Sequence, residues 1–251
     1  MIHPLIWLLF PENIYCAACG AMLSGGRGIC VCEACANEQK LDGMRLCKQC
    51  GKPLADDNAG EMCYDCDAET HEFTHGYAAA MYAGATRALV RNMKYRNRPY
   101  IAEAIAVLMA ERWRSLIDEE TGETPFYDFM IHVPVSQAKL LSRGFDQAEL
   151  IAEKLAPTIG MTFIKGALER VRETVPQSAL TLEERKANLD GAFRVTDAAA
   201  RLIRGHKVLI VDDIYTTGTT ADECARALYA SGATEVSIFV FAIGGDSKRD
   251  C

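Results

Sequence analysis

No stretch of this 251-residue chain restricts its possible folds more than Val208-Leu209-Ile210-Val211-Asp212-Asp213-Ile214-Tyr215-Thr216-Thr217-Gly218-Thr219-Thr220. Four apolar residues in a row, three of them β-branched, suit a parallel strand covered on both faces. Two carboxylates follow at the strand's carboxyl end, then a Thr/Gly-rich turn, then a helix pattern from Ala221 to Ser231. Open α/β sheets bind ligands outside the carboxyl ends of their strands. A helix amino terminus presents free N–H groups and a positive dipole end, which suits a phosphate. Thr216, Thr217, Thr219 and Thr220 add hydroxyl donors, and Gly218 permits close backbone approach.

Adjacent ionised carboxylates repel unless something neutralises them. Mg²⁺ and vicinal hydroxyls are both suitable partners for Asp212 and Asp213. A sugar 5-phosphate satisfies the whole stretch, with its phosphate on the turn and its ribose hydroxyls on the acids. No Gly-Lys-Ser/Thr follows, so this is not a Walker loop, and no G-x-G-x-x-G opens a helix, which excludes the dinucleotide fingerprint. The competing reading is a strand that simply ends in a polar turn. The stretch closely resembles the phosphoribosyl-pyrophosphate motif of type I phosphoribosyltransferases. That resemblance implies that Asp212 and Asp213 hold ribose hydroxyls, that Thr216, Thr217, Gly218, Thr219 and Thr220 hold the 5-phosphate, and that Mg²⁺ accompanies the pyrophosphate.

Ahead of this stretch lie four Cys-x-x-Cys pairs: Cys16/Cys19, Cys32/Cys35, Cys47/Cys50 and Cys63/Cys66. Two pairs make a tetrahedral thiolate site. The gaps Gly20–Val31 and Gly51–Met62 are both 12 residues long, as an internal duplication would leave them. First with second and third with fourth is the expected pairing, giving two zinc ribbons, with Cys30 an alternative to Cys32 as ligand. Redox chemistry needs a βαβ setting that is absent here. A segment this poor in large apolar residues needs metal to fold. The expected division is a double zinc ribbon over 1–70 and an α/β domain over 71–251.

Bulk charge does not argue for nucleic acid: the formal net charge is −7. The apolar opening Ile2–Phe10 is shorter than the roughly 20 residues a membrane helix needs. It also lacks a basic start and a small-residue cleavage site, so it reads as a lead-in element of a cytoplasmic protein without a membrane span.

Between ribbons and turn, Tyr77–Tyr82 reads as a strand, Gly84–Arg98 as a helix stopped by Pro99, and Tyr100–Ile117 as a second helix. Arg87, Arg91, Lys94 and Arg98 fall on one face of the first helix, a stretch without acids. That stripe is either solvated or faces phosphate or nucleic acid. Phe129–Val135 is a strand and its exit, and Phe145–Leu155 a helix. His132 reads as a strand-end histidine satisfied by backbone. Leu168–Arg172 suggests another strand. For the polar segment Glu173–Asp190, a closing lid and an ordinary surface helix over Leu182–Leu189 both stay open. Glu235–Ile243 is the last strand.

Taken with Met93-Lys94-Tyr95-Arg96, Val133-Pro134-Val135, Arg143-Gly144-Phe145-Asp146-Gln147-Ala148-Glu149-Leu150 and Thr174-Val175-Pro176-Gln177-Ser178-Ala179-Leu180, the knuckles and the turn resemble the ComF family over nearly the whole chain. The resemblance implies an α/β, type I phosphoribosyltransferase-like parallel sheet flanked by helices, preceded by a small zinc-ribbon domain. It places a pyrophosphate loop at Val133–Ser136, so that Val135 and Ser136 bind substrate, and it links the family to DNA uptake in natural competence. Lys139 and Arg143, with a lid arginine such as Arg172 or Arg185, are the cations available to a leaving pyrophosphate. The expected function is a transferase binding phosphoribosyl pyrophosphate with Mg²⁺. The alternative is a non-catalytic competence factor that binds single-stranded DNA or a DNA-uptake protein. The family commonly carries Asn where this chain has Asp146.

Overall fold

The structure, a computed structural model, describes residues 14–23, 29–38, 40–117, 122–172 and 189–246. Ile2–Phe10 and residues 173–188 of the Glu173–Asp190 segment lie outside them, and with these the lead-in element and the choice between a lid and a surface helix over Leu182–Leu189. Five parallel strands form the main sheet in the order β1 (Gly76–Met81), β7 (Glu235–Ile243), β6 (Lys207–Tyr215), β2 (Phe129–His132), β3 (Thr162–Phe163). The four apolar residues that open the signature stretch lie in β6, at the centre. Leu209 and Val211 pack on one face and Val208 and Ile210 on the other, as the pleat requires.

The first face is covered by α3 (Gly84–Tyr95), α4 (Ile101–Ser115) and α6 (Gln147–Ile159). The second is covered by α7 (Asp197–Ile203) and α8 (Thr219–Ala230), with the antiparallel pair β4 (Leu168–Arg170) and β5 (Phe193–Val195) beside them. Burying a side chain such as Phe239 or Phe241 stabilises by about 1.5–3 kcal/mol. β3, β5 and α7 carried no readable pattern in the sequence, because each is seven residues or shorter.

Each cysteine repeat forms a bridged hairpin, Tyr15 with Met22 and Leu46 with Pro53, followed by a five-residue helix, α1 (Glu33–Asn37) and α2 (Tyr64–Ala68). The duplication seen in the spacing is therefore structural. The ribbons are built into the body. Buried residues of the first belong to the core under α3 and α4, and the cysteines of the second to the core under α8. Gly51 meets β1 so closely that a Cβ there would lie 2.4 Å from the Gly76 carbonyl oxygen. The carboxylate of Asp246, just beyond β7, accepts from the Tyr64 and Ala55 N–H groups at 3.0 and 3.3 Å. Among the described residues, no helix is long and apolar enough to cross a membrane.

Candidate functional site

Parallel register fixes what stands beside the acids. His132 of β2 is level with Val211, and the Val133 N–H donates to the Val211 carbonyl at 3.0 Å, so the loop leaving β2 starts beside Asp212. Asp212 Oδ1 accepts the Asp213 N–H at 2.7 Å. Burial, and next the Asp213 charge, raise the Asp212 carboxyl well above the usual carboxylate range. Asp213 is neutralised from inside the protein: Lys94 Nζ lies 2.6 Å from its Oδ2, with side chains 17% and 8% exposed. Burial alone would lower the Lys94 ammonium, but Asp213 and then Asp212 outweigh it and raise it.

This pairing corrects the one-face basic stripe. Lys94 turns inward to the acids, whereas Arg87 and Arg91 stay exposed. Arg98 is not helical at all, because α3 ends at Tyr95 and Asn97 takes a left-handed φ of 51° before Pro99 is reached.

At the turn, Gly218 caps α8 in the left-handed conformation, φ 85°, and no side chain caps the helix. The first-turn N–H groups lack intrahelical partners, and their dipole end faces the turn. Thr217 and Thr219 hydroxyls bond each other at 3.1 Å, while Thr216 is exposed and Thr220 partly buried. Asp212, Asp213 and the turn thus meet at the carboxyl end of the central strand.

On the β2 side, Ser136 caps α5 (Gln137–Arg143) by accepting from the Lys139 N–H at 3.4 Å. The Val135 N–H donates to Asp146 Oδ2 at 2.8 Å, and Asp146 Oδ1 accepts the Glu149 N–H at 3.2 Å as the cap of α6. Both contacts use an acceptor oxygen, which is why an aspartate serves here without an amide donor. Burial raises the Asp146 carboxyl, against the pull of the Val135 N–H.

Arg143 lies over the Tyr95 ring, 5.7 Å from its centroid, and donates to Gln147 Oε1 at 2.9 Å. Lys139 is exposed overall, yet partial burial of its ammonium lowers its pKa, and the charges of Arg170, Arg143 and Lys94 lower it further. The charges that act on Lys139 are thus those of three cations, with Asp212 pulling the other way. Arg170 escaped the sequence reading because only the β4–β5 pairing brings it in. His132 is also not as expected. It is buried at 4% exposure, its Nδ1 has no hydrogen-bond partner among the described residues, and its Nε2 lies 3.6 Å from Glu149 Oε2. Its partners are carboxylates and not backbone, because the 3.6-residue helix period brings Glu149 of α6 back over the strand end.

The sulfurs of Cys16, Cys19, Cys32 and Cys35 lie within 4.8 Å of one another, as do those of Cys47, Cys50, Cys63 and Cys66. Eight thiols crowded this way suit two tetrahedral zinc ions, and each cluster fits a structural site. Cys30 stays outside the first cluster, and burial pushes its thiol up to about 11, so it remains protonated at neutral pH.

Paired acids ahead of an open helix end, on a parallel sheet braced by two four-cysteine clusters, define a phosphoribosyltransferase-like protein with a double zinc ribbon. The Phosphoribosyl transferase domain family matches residues 140–250, and the Double zinc ribbon domain family residues 5–67. The DNA utilization protein YhgH of Escherichia coli O6:H1 is 31% identical over 209 residues, 83% of this chain and 88% of that protein. Competence protein F of Haemophilus influenzae is 23% identical over 212 residues, 84% of this chain and 90% of that one. The chain belongs to the ComF family. Among solved structures, a glutamine phosphoribosylpyrophosphate amidotransferase from B. subtilis aligns with a TM-score of 0.39 and 18% identity, over 60% of this chain and 30% of its own.

Proposed function

We propose that this protein binds phosphoribosyl pyrophosphate with Mg²⁺ at the carboxyl end of β6 and acts as a phosphoribosyltransferase in the handling of incoming DNA. The observation that carries the reading is the acid pair, one member neutralised by Lys94, set directly before the uncapped amino terminus of α8. In this reading Asp212 and Asp213 take the ribose hydroxyls and residues 216–220 take the 5-phosphate. Lys139, Arg143 and Arg170 face the pyrophosphate. Asp212 and the ligand's own oxygens form a hard donor set that suits Mg²⁺, which would neutralise charge on the leaving group. Val135 would serve through its backbone only by giving up its bond to Asp146, and Ser136 contributes by capping α5.

Calorimetry with phosphoribosyl pyrophosphate and Mg²⁺ tests this. Asp212→Asn should abolish Mg²⁺-dependent affinity with the fold retained. Thr217→Val should weaken binding by about 1.5–3 kcal/mol, the worth of a hydrogen bond to a charged group. Equal affinity in wild type and Asp212→Asn would reject the site. Pyrophosphate release across a panel of bases and amines then tests transfer.

A groove supports a second reading, binding of single-stranded DNA. It measures about 880 Å³ between the first ribbon and the α3–α4 junction, and Tyr15, Tyr100, Arg96 and Arg98 line it together with Glu103. Tyr15 and Tyr100 are 59% and 53% exposed. Exposed rings beside arginines are what bases and phosphates stack on and pair with. With Lys94 withdrawn, Arg96 and Arg98 line the groove as cations for phosphates, and Arg91 is exposed on the neighbouring helix α3. Three contacts should give a log–log salt slope of about −2, and Arg96→Gln with Arg98→Gln should flatten it by about 1.4. A slope unmoved by that pair would remove the groove from the reading.

A further inference from the structure

His71 stands five residues after Cys66, the last ligand of the second ribbon, in the lead towards β1. Its side chain is 4% exposed. Nδ1 lies 2.9 Å from Asp222 Oδ2, and Nε2 lies 3.1 Å from the Tyr215 hydroxyl. A carboxylate can only accept, so Nδ1–H donates to Asp222, and Nε2 and the Tyr215 hydroxyl share the second bond. Tyr215 is the last residue of β6 and Asp222 lies in the first turn of α8. One imidazole therefore joins the two ends of the turn from behind. It also packs on the turn's backbone: a Cβ at Gly218 would lie 2.5 Å from His71 Cε1 and from the Tyr215 hydroxyl. The ring is held in turn by stacking on Phe73, with centroids 4.8 Å apart, and Asp222 Oδ1 accepts the Glu72 N–H at 2.8 Å. A second strut comes from the ribbon itself. Lys52 Nζ, paired with Asp65 at 2.5 Å, donates to the Thr216 carbonyl at 3.5 Å.

We propose that His71 is a positioning residue that clamps the Thr216–Thr220 turn between Tyr215 and Asp222 and so ties its shape to the second cysteine ribbon. Its bearing on ligand affinity rests on the reading of the turn as a phosphate site; the clamp itself does not. A static turn keeps its N–H groups convergent in the absence of ligand, which avoids an ordering cost on binding. No sequence motif marks His71, because it is more than 140 residues from both of its partners.

The test is amide hydrogen exchange on the full-length, zinc-loaded chain without ligand, comparing wild type, His71→Ala and Tyr215→Phe. Tyr215→Phe keeps the ring and removes only the hydroxyl. Exchange across 215–221 should speed up about fivefold or more in both variants, with 208–211 unchanged, since one hydrogen bond of about 1 kcal/mol is lost locally. Wild-type exchange in the turn of Tyr215→Phe would overturn the clamp, and this variant decides alone if His71→Ala fails to fold. Where wild type binds phosphoribosyl pyrophosphate, its Kd should rise about fivefold in Tyr215→Phe. An unchanged Kd with faster exchange would overturn the positioning role. If wild type binds none, the functional reading falls while exchange still judges the clamp.

Discussion

Asp213→Asn is expected to destabilise the protein, and Asp212→Asn, its neighbour, to stabilise it at neutral pH. The difference lies in Lys94. Asp213 is the partner of that ammonium at 2.6 Å, and both side chains are largely buried. Removing one member of a buried pair leaves an uncompensated charge and costs about 3 kcal/mol. In a domain of this size that lowers Tm by roughly 10 °C. Adding Lys94→Met to Asp213→Asn should recover most of the loss, because the orphaned charge goes too.

Asp212 works in the opposite sense. Its folded-state pKa is raised by burial and by Asp213, so the folded protein binds that proton more tightly than the unfolded chain. Stability from this group is present below the ordinary carboxylate pKa of 3.8 and is lost as pH rises from there through the raised value. Asparagine keeps the acceptor for the Asp213 N–H and removes the titration. Wild type should therefore lose stability over that pH window and Asp212→Asn should not. Differential scanning calorimetry from pH 4 to 8 reads both effects. Tm shifts of the same sign for the two variants would refute the pairing of Lys94 with Asp213.

Losing zinc from the second ribbon should have a still larger effect than losing it from the first. All four sulfurs of Cys47, Cys50, Cys63 and Cys66 are buried, and they share a core with Phe73, Ala78 and Val240 of the body. In the first cluster Cys19 is exposed. Structural zinc in small ribbons binds with about 10–16 kcal/mol, and that energy is folding energy. Cys63→Ser should unfold the ribbon, strip the support under β1 and α8, and yield a largely insoluble chain. Cys19→Ser should cost one equivalent of zinc and leave the sheet cooperative in thermal melts. Wild type should hold two zinc ions and release them to chelator in two phases, the faster from the first cluster. Zinc-free protein under reducing conditions with a normal melt would sink the assignment.

What the sequence determined by itself is the part written in contiguous residues. The apolar run Val208–Val211 specified a two-sided parallel strand, the cysteine spacing specified two metal knots and their pairing, and Glu235–Ile243 was readable as a strand to its last residue. Periodicity and turn chemistry act over a few residues, so they are legible without a fold. The surroundings of four side chains were decided only by tertiary structure. Lys94 read as one cation of a stripe either solvated or facing phosphate, and the fold instead sets it against Asp213. His132 looked backbone-satisfied, until α6 set two carboxylates over it. His71 and Arg170 carried no local signal, since the partners of each are distant in the chain and are brought near by the sheet order and the β4–β5 pairing. A charge has no period, and what neutralises it is settled by which elements the folded sheet brings within a few ångströms.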